Sequence, residues 1–193
     1  KVIDLENVGR ESHTWIYHIV NNFSNLDDIN IFLQGRLDDL DCMAFQDPNN
    51  YLRFIDKNGF AVSRYGVLGP FHWSWNIGIE KDKRYRKQWL NKEISRSKIG
   101  FRKFSKSLFP EIPLLVNTSY GGCFAIKKDL ITNYDLGFYK NLLNILSRHK
   151  NPIEGHYIER LWCYMFTKNK FLNKSIRDVL RTKFELIYKD KII

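Results

Sequence analysis

An amphipathic helix followed at once by a buried strand is the feature of this sequence that most restricts its fold. The segment ESHTWIYHIVNNF spaces its apolar side chains at three- and four-residue intervals, which predicts a helix over about residues 11–23. The next segment, DDINIFLQG, predicts a short buried strand from Ile29 to Leu33 that stops at Gly35. A helix leading into a buried strand is typical of an α/β sheet.

The remaining segments continue this alternation. Two further strands are predicted at IPLLVN and GCFAIKK, and two helices at FYKNLLNILSRH and EGHYIERLWCYMF. The C-terminal KSIRDVLRTKFELIYKD predicts a helix that passes into a short strand. Residues 37–56 are interpreted as loop and short helix with a turn at DPNN, and GVLGPFHWSWNIG as a loop. Without repeats or low-complexity linkers, we expect residues 1–193 to form a single domain.

Length and composition favour a globular chain with a substantial core, since 44% of its 193 residues are hydrophobic. No apolar run approaches the roughly 20 residues of a membrane-spanning helix, so we expect no transmembrane segment and a cytoplasmic location. The start at Lys1 leaves open that the chain is a fragment of a longer one. Cys42, Cys123 and Cys163 are far apart, which favours buried thiols in a reducing compartment.

The formal net charge of +10 is concentrated in a basic segment, residues 80–106, in which lysines and arginines alternate with aromatic residues. Those residues are Tyr85, Trp89, Phe101 and Phe104. Cations suit phosphates and aromatic faces suit bases, so the segment is a candidate for binding nucleic acid or another polyanion. The alternative is a solvated, partly helical segment whose aromatic side chains face the core.

Acidic residues follow the predicted strand in FLQGRLDDLDCMAF. Ligands of open α/β sheets bind beyond the carboxyl ends of strands, which directs attention to this loop. Asp39 and Asp41, spaced Asp-x-Asp, are candidate ligands for Mg²⁺ or Mn²⁺ together with a diphosphate. The alternative is a solvated loop or a helix start.

A second constellation lies in NPIEGHYIERLWCYMF. Glu154 and His156 precede or open a helix and are candidates for a general base and for a metal ligand or phosphate partner. Glu159 and Arg160 are neighbours about 100° apart on that helix, so we expect no salt bridge between them. The alternative is a capped helix with a buried charge bound to another segment.

Two further segments contain candidate site residues: the opening stretch NVGRESHTW and the loop GPFHWSWN. A tight turn, a helix N-terminus, Arg10 and His13 together predict an anion-binding corner, against the alternative of an ordinary cap. The aromatic loop around Trp73 could stack on a sugar or a base, although such a loop also packs readily on a core. Phosphate-loop, dinucleotide-fingerprint, zinc and nucleophile-elbow patterns are not found.

Three blocks of the sequence resemble the signature segments of a family found in fungi, bacteria and large DNA viruses. They are NVGRESHTWIYHIVNNFSNLDDINIFLQG, then YGGCFAIKKDLI with FYKNLLNIL, and finally NPIEGHYIERLW, over about residues 5–167. This family is similar to glycosyltransferases of the A-type fold, including those of large algal viruses. The resemblance implies a Rossmann-like α/β domain with a mixed central sheet flanked by helices, and a host-cytoplasmic location for a viral protein.

The resemblance also implies roles for individual residues. Asp39 and Asp41 would bind Mn²⁺ or Mg²⁺, with His156 as a further metal or phosphate partner, and Glu154 or Glu159 would be the acidic catalytic residue. The segment from Tyr120 to Ile126 would be a glycine-bearing turn and strand beside the acceptor. With the constellations above, the candidate substrate-binding residues are Asn7, Arg10, Glu11, His13, Trp73, Tyr120, Gly121, Gly122 and Arg160.

We therefore expect a metal-dependent glycosyltransferase that moves a sugar from a UDP- or GDP-linked donor to a hydroxyl group of a glycan or glycoprotein. The carboxylate would deprotonate the acceptor in an inverting enzyme or stabilise an oxocarbenium-like centre in a retaining one, and both remain open. One alternative is a protein that binds or processes nucleic acid through the basic segment, with Asp39, Asp41 and Glu159 at a metal. Another is a noncatalytic carbohydrate-binding or scaffold domain.

Overall fold

The structure is a computed structural model that describes residues 3–34, 48–55, 59–69, 73 and 83–168 of the chain. Its elements follow in chain order. They are α1 (Arg10–Asn22) with a 3-10 turn (Phe23–Asn25), β1 (Ile29–Phe32), α2 (Pro48–Phe54), β2 (Phe60–Leu68), α3 (Lys83–Leu90), α4 (Phe101–Leu108), β3 (Val116–Lys127), α5 (Lys128–Thr132), α6 (Leu136–Leu146) and α7 (Ile153–Thr167).

The described strands form a three-stranded sheet in the order β1-β3-β2, and both pairings are antiparallel. The long central strand β3 pairs with β2 along most of its length, from Val116 opposite Leu68 to Ile126 opposite Phe60. The short β1 pairs only with the last third of β3, where Phe32 lies opposite Phe124. The sheet is therefore built around β3, and β1 leaves its partner near the middle of that strand.

A bulge interrupts β3 at Gly122. The register between β2 and β3 shifts between Val62 and Arg64, and Gly122 has φ +66, a conformation that glycine adopts without a steric penalty. Trp15 of α1 donates a hydrogen bond from Nε1 to the Gly122 carbonyl oxygen at 2.9 Å. The predicted glycine-bearing turn is thus a bulge inside one long strand, held against the first helix.

Helix α7 supplies the centre of the core and carries four of the candidate site residues. Twelve of its 15 residues are buried, and the three that are not are Glu154, Glu159 and Arg160. On its apolar side Trp162 packs on Phe124 of the sheet, with ring centroids 5.3 Å apart. Because almost all of the helix is fixed by burial, these charged side chains project from a rigid support.

Two glycines let the start of α1 approach the first turn of α7. Gly9 has φ +65, and a Cβ there would lie 2.5 Å from the His13 Cβ and 2.8 Å from the Leu146 carbonyl oxygen. A Cβ on Gly155 would lie 3.2 Å from the Gly9 carbonyl oxygen. Ser12 also bridges the two helices, since its hydroxyl donates to the Gly155 carbonyl oxygen at 3.3 Å. This contact brings the first and last sequence blocks together.

Most predicted elements of the described residues are confirmed: α1, β1, α6, α7 and the GCFAIKK strand, and with them a mixed helix-and-strand fold. The separate strand predicted at IPLLVN is wrong, because β3 starts only at Val116. The carbonyl oxygens of Ile112 and Pro113 instead accept hydrogen bonds from the Arg102 guanidinium, at 2.9 and 2.8 Å. The Arg102 side chain thus donates the hydrogen bonds that these carbonyl oxygens would accept from a neighbouring strand.

Three further differences concern loops. Pro48 of the predicted DPNN turn opens α2, a position where its missing N–H costs nothing. Gly66 to Leu68, assigned to a loop, belong to β2, a strand the sequence analysis did not predict. The predicted C-terminal helix and strand lie outside the described residues.

Burial of the thiols is confirmed for Cys123 and Cys163, whereas Cys42 lies outside the described residues. Within the described part of the chain, no helix is long and apolar enough to cross a membrane.

Candidate functional site

A cavity of about 400 Å³, here called the first cavity, opens between the start of α1, helix α3 and helix α7. It draws on sequence segments that lie up to 150 positions apart, and most of its lining side chains are polar or charged. Its lining residues are Asn7, Arg10, Gln88, Lys150, Asn151, His156, Glu159 and Arg160. Five of the predicted site residues therefore meet at one place: Asn7, Arg10, His156, Glu159 and Arg160.

The charges around the first cavity favour an anionic ligand. Arg10, Lys150 and Arg160 contribute three cations, against the single carboxylate of Glu159. Guanidinium and ammonium groups form short, charge-assisted hydrogen bonds with phosphate or carboxylate oxygens. Arg10, from the anion-binding corner predicted at the start of α1, thus lies beside cations of α7 and of the loop before it.

Arg10 and His156 are in direct contact at the wall of this cavity. The Nη1 atom of Arg10 lies 2.6 Å from Nδ1 and 2.7 Å from Nε2 of the imidazole, which is 4% exposed. The guanidinium donates, and the tautomer of the imidazole decides which ring nitrogen accepts. His156 therefore lies against a cation at the cavity wall, and its role as a metal ligand stays a prediction.

Arg160 is fixed on both sides by backbone contacts. Its Nη1 donates to the His156 carbonyl oxygen at 2.8 Å, and its own carbonyl oxygen accepts from the Thr118 hydroxyl at 2.7 Å. The same Nη1 lies 4.0 Å from Oε2 of Glu159. The expectation that neighbouring Glu159 and Arg160 form no salt bridge was wrong, because two long side chains can span the angle between adjacent helix positions.

The two candidate catalytic carboxylates lie apart. Glu159 lines the first cavity, whereas Glu154 lines a different cavity on the other side of the turn that precedes α7. Five positions along a helix correspond to about 140° of rotation beyond one turn, so the two side chains leave the helix in different directions. Of the two, Glu159 is the carboxylate placed beside Arg10 and His156.

His13 and Glu11 do not join the predicted corner. His13 is buried, and desolvation lowers its pKa, an effect that the nearby Glu6 carboxylate partly opposes. Among the described residues its Nδ1 has no hydrogen-bond partner. Glu11 is not among the residues that line the first cavity; its carboxylate accepts from Gln34 at 3.3 Å and lies 3.5 Å from Arg10 Nε. The tight packing at Gly9 turns His13 toward the protein interior.

Trp73 belongs to the core rather than to an open sugar platform. Its indole N–H donates to the Leu114 carbonyl oxygen at 2.6 Å, its ring contacts Phe101, and the Arg102 guanidinium lies 4.5 Å from its centroid. The side chain is only 7% exposed. The alternative of an aromatic residue packed on the core is confirmed for Trp73, and its assignment as a substrate contact was wrong.

Three aromatic residues of the basic segment, Trp89, Phe101 and Phe104, pack against the core in the same way. Phe101 and Phe104 are buried, with Phe101 stacked on Tyr157 at 4.9 Å, and Trp89 is partly buried beneath Arg96. The alternative in which these side chains face the core is confirmed for them. They do not offer the stacking faces that binding of unpaired bases requires.

The remaining predicted site residues are placed only in part. Tyr120, Gly121 and Gly122 lie in β3 around the bulge, and Gly122 lies next to Gln34 and Trp15. Asp39 and Asp41 lie outside the described residues. Within the described ranges, no group of three or more histidine, cysteine or acidic side chains is arranged to hold a metal ion.

Sequence reasoning missed three residues that line the first cavity: Gln88, Lys150 and Asn151. Lys150 and Asn151 directly precede or begin the third sequence block, so an extension of that block by one residue would have included both. Gln88 has no such signal, because it lies in a helix that only the tertiary structure brings to the cavity.

Comparisons with curated proteins and with solved structures give no match. A family model described as "Protein of unknown function (DUF3431)" matches residues 2–180 and so includes every residue that lines the first cavity. Because this match extends over more than nine-tenths of the chain, the protein belongs to the DUF3431 family.

Proposed function

We propose that the first cavity binds the diphosphate of a nucleotide-sugar donor and that the protein is a glycosyltransferase acting on a hydroxyl acceptor. The observation that carries this proposal is the convergence of Arg10, Lys150 and Arg160 on one cavity that also holds the carboxylate of Glu159. The resemblance of the three sequence blocks to glycosyltransferases supports a sugar as the transferred group.

The cavity suits a diphosphate in charge and in hydrogen-bonding capacity. Three cations compensate the charge of its oxygens, and the amides of Asn7, Gln88 and Asn151 can both donate to and accept from sugar hydroxyls. A volume of about 400 Å³ is in the range of ligand-binding clefts.

In an inverting reaction Glu159 would take the proton of the acceptor hydroxyl as its oxygen bonds to the anomeric carbon. The bond from that carbon to the diphosphate breaks, and the charge left on the diphosphate is stabilised by Arg10, Lys150 and Arg160. In a retaining reaction the same carboxylate would stabilise the oxocarbenium-like centre. The Arg10–His156 contact fixes the guanidinium in position before the donor binds.

Metal dependence and the A-type fold remain predictions of the sequence. Within the described ranges there is no cluster of three or more potential metal ligands, and the predicted ligands Asp39 and Asp41 lie outside those ranges. When bound, Mn²⁺ or Mg²⁺ would add Lewis-acid stabilisation of the diphosphate. The steps above rely only on Glu159 and the cationic side chains of the cavity.

The test is thermal unfolding with a panel of UDP- and GDP-linked sugars, each with and without Mn²⁺. A donor at about 100 times its dissociation constant adds about 2.7 kcal/mol of stability, so its binding raises the unfolding midpoint. We expect one class of donor to raise the midpoint, and Lys150→Gln to remove that effect. The matched control is Lys103→Gln, an exposed lysine of α4 that does not line the cavity.

A donor that binds should then be consumed. Released nucleoside diphosphate is measured in the presence of candidate glycan acceptors, and Glu159→Gln should reduce release while keeping the thermal shift. If no donor shifts the midpoint but an oligonucleotide does so with a steep salt dependence, the nucleic-acid alternative replaces this proposal.

A further inference from the structure

A second cavity of about 410 Å³ lies on the opposite side of the turn that precedes α7. Its wall is contributed by the loop between α3 and α4, by α4 and α6, and by that turn. Its lining residues are Ser95, Arg96, Ser97, Lys98, Ile99, Phe104, Ser107, Ile145, Arg148, His149, Pro152 and Glu154. The two sets of described lining residues do not overlap, so the second cavity is a separate site.

The two cavities share one wall, residues 148–154, here called the partition. Arg148, His149, Pro152 and Glu154 face the second cavity, whereas residues 150–151 face the first. The partition is held by the loop after α3, because the Ser95 amide donates to the Asn151 carbonyl oxygen at 3.0 Å. Each cavity is thus formed by the same short backbone segment, seen from opposite sides.

The second cavity is lined by cationic, apolar and hydroxyl-bearing side chains, and a single class of ligand has groups that match all three. Its cations are Arg96, Lys98 and Arg148, against the single carboxylate of Glu154. Its apolar surface comes from Ile99, Phe104, Ile145 and Pro152, and its hydroxyl groups from Ser95, Ser97 and Ser107. Apolar surface suits the C–H face of a sugar ring, hydroxyl groups suit the ring hydroxyls, and cations suit an attached oxyanion.

The polar groups have hydrogen-bonding capacity suited to this ligand. The Ser97 hydroxyl, 7% exposed as a residue, accepts from the Ile99 amide at 3.3 Å and keeps its proton to donate. The Ser107 hydroxyl donates to the Phe104 carbonyl oxygen at 2.7 Å and keeps its lone pairs to accept. His149 accepts from the Asn151 amide at Nδ1, which makes Nε2 the donating nitrogen of the neutral ring.

We propose that the second cavity binds an anionic sugar, meaning a sugar ring that carries a carboxylate or phosphate group. The ring lies on the apolar floor at Ile99 and Ile145, and the anionic group contacts Lys98 and Arg148. The proposal is argued from described residues alone and does not depend on the identity of the ligand of the first cavity.

The test is calorimetric titration of the full chain with four probes: glucuronate, glucose 6-phosphate, glucose and inorganic phosphate. We expect at least one of the two anionic sugars to bind at least about tenfold more tightly than glucose and inorganic phosphate, since a charged hydrogen bond accounts for a factor of that order. Glucuronate and glucose 6-phosphate distinguish a carboxylate from a phosphate as the recognised group.

Variants assign the binding to the second cavity. Arg148 is exposed, so Arg148→Gln should preserve the fold, verified by circular dichroism, and weaken the anionic sugar by about tenfold or more. Lys103→Gln removes an equal charge outside both cavities and should leave the affinity unchanged, as should Arg10→Gln in the first cavity.

Three results would overturn the proposal. They are the absence of binding by both anionic sugars, equal binding of inorganic phosphate, and binding that Arg148→Gln leaves intact. If Arg10→Gln alone removed the binding, the anionic sugar would belong to the first cavity, and the proposed donor site would stand without the second one.

Discussion

Arg10 and His156, 146 positions apart in the chain, meet with Arg10 Nη1 only 2.6 Å from the imidazole Nδ1. The contact joins the first residue of α1 to the first turn of α7, and the close approach of Gly9 and Gly155 makes it possible. It gives the opening stretch a definite role, because Arg10 belongs to a cationic cavity whereas His13 and Ser12 pack inward. The polar residues of NVGRESHTW therefore contribute both to the lining of a cationic cavity and to a helix junction.

The two candidate carboxylates should behave differently under the same substitution. Glu159→Gln removes the acid-base group beside Arg10, so we expect transfer to fall about 10²–10⁴-fold with donor affinity retained. Glu154→Gln, the matched control, changes the second cavity and should leave turnover of a neutral acceptor within about threefold of the wild type. Turnover and donor affinity are measured together by nucleoside diphosphate release. If Glu154→Gln reduced turnover and Glu159→Gln did not, catalysis would be assigned to the second cavity.

The glycine at the helix junction should tolerate no side chain. Gly9→Ala places a Cβ at positive φ and 2.8 Å from the Leu146 backbone oxygen, so we expect a loss of about 2–4 kcal/mol in the free energy of unfolding. Gly69→Ala is the control, since its Cβ would make an ordinary 3.6 Å contact with Leu115. Urea unfolding measures both. If Gly9→Ala were as stable as the control, the close approach of α1 to α7 would not contribute to the free energy of unfolding.

Buried His13 predicts a loss of stability in mild acid. Desolvation lowers its pKa from 6.5, so the folded protein binds fewer protons than the unfolded chain just below that pH. Its contribution to stability is intact above pH 6.5 and declines as the pH falls toward the lowered pKa. Urea unfolding at about pH 7.5 and 5.5 measures the decline, which His13→Gln should reduce.

His18, an exposed histidine of the same helix, is the control for that measurement. His18→Gln should keep the pH dependence of the wild type, and an equal effect of both substitutions would remove the assignment to His13.

The buried thiols should resist modification. Burial raises the pKa of Cys163 to about 12, although a hydrogen bond with Thr167 partly opposes this, and Cys123 is also buried. In a Cys42→Ser variant at about pH 8, we expect a disulfide reagent to label the native protein at least about a hundredfold more slowly than the protein in concentrated guanidinium chloride. Rapid native labelling would show that α7 opens readily.

The elements of the fold that the sequence predicts well are those whose periodicity is set by burial on one face. The spacing of Trp15, Ile16 and Ile19 predicted α1, and all three side chains are buried. Strand β2 escaped prediction because Phe60, Ala61 and Val62 are all buried, so its first half lacks the alternation of buried and exposed side chains by which a half-buried strand is recognised. The strand predicted at IPLLVN failed because a distant side chain, Arg102, takes its carbonyl oxygens.

The candidate site was predictable to the extent that charged residues interrupt an apolar helix. Glu159 and Arg160 stand out in α7 because their neighbours are buried, and both line the first cavity. The assignments of His13 and Trp73 failed because residue type alone does not show which face a side chain presents. Gln88 was missed because it joins the cavity only through the packing of α3 beside α7.

The partition gives this small fold a means of thermodynamic linkage. A displacement of residues 148–154 by an occupant of one cavity would change the shape of the other, since neighbouring residues of this one segment line the two cavities. Linkage is symmetrical: a factor by which the second ligand alters the affinity for the first is also the factor by which the first alters the affinity for the second. The concentration of the ligand of one cavity would thereby change the fraction of the protein that has the other ligand bound.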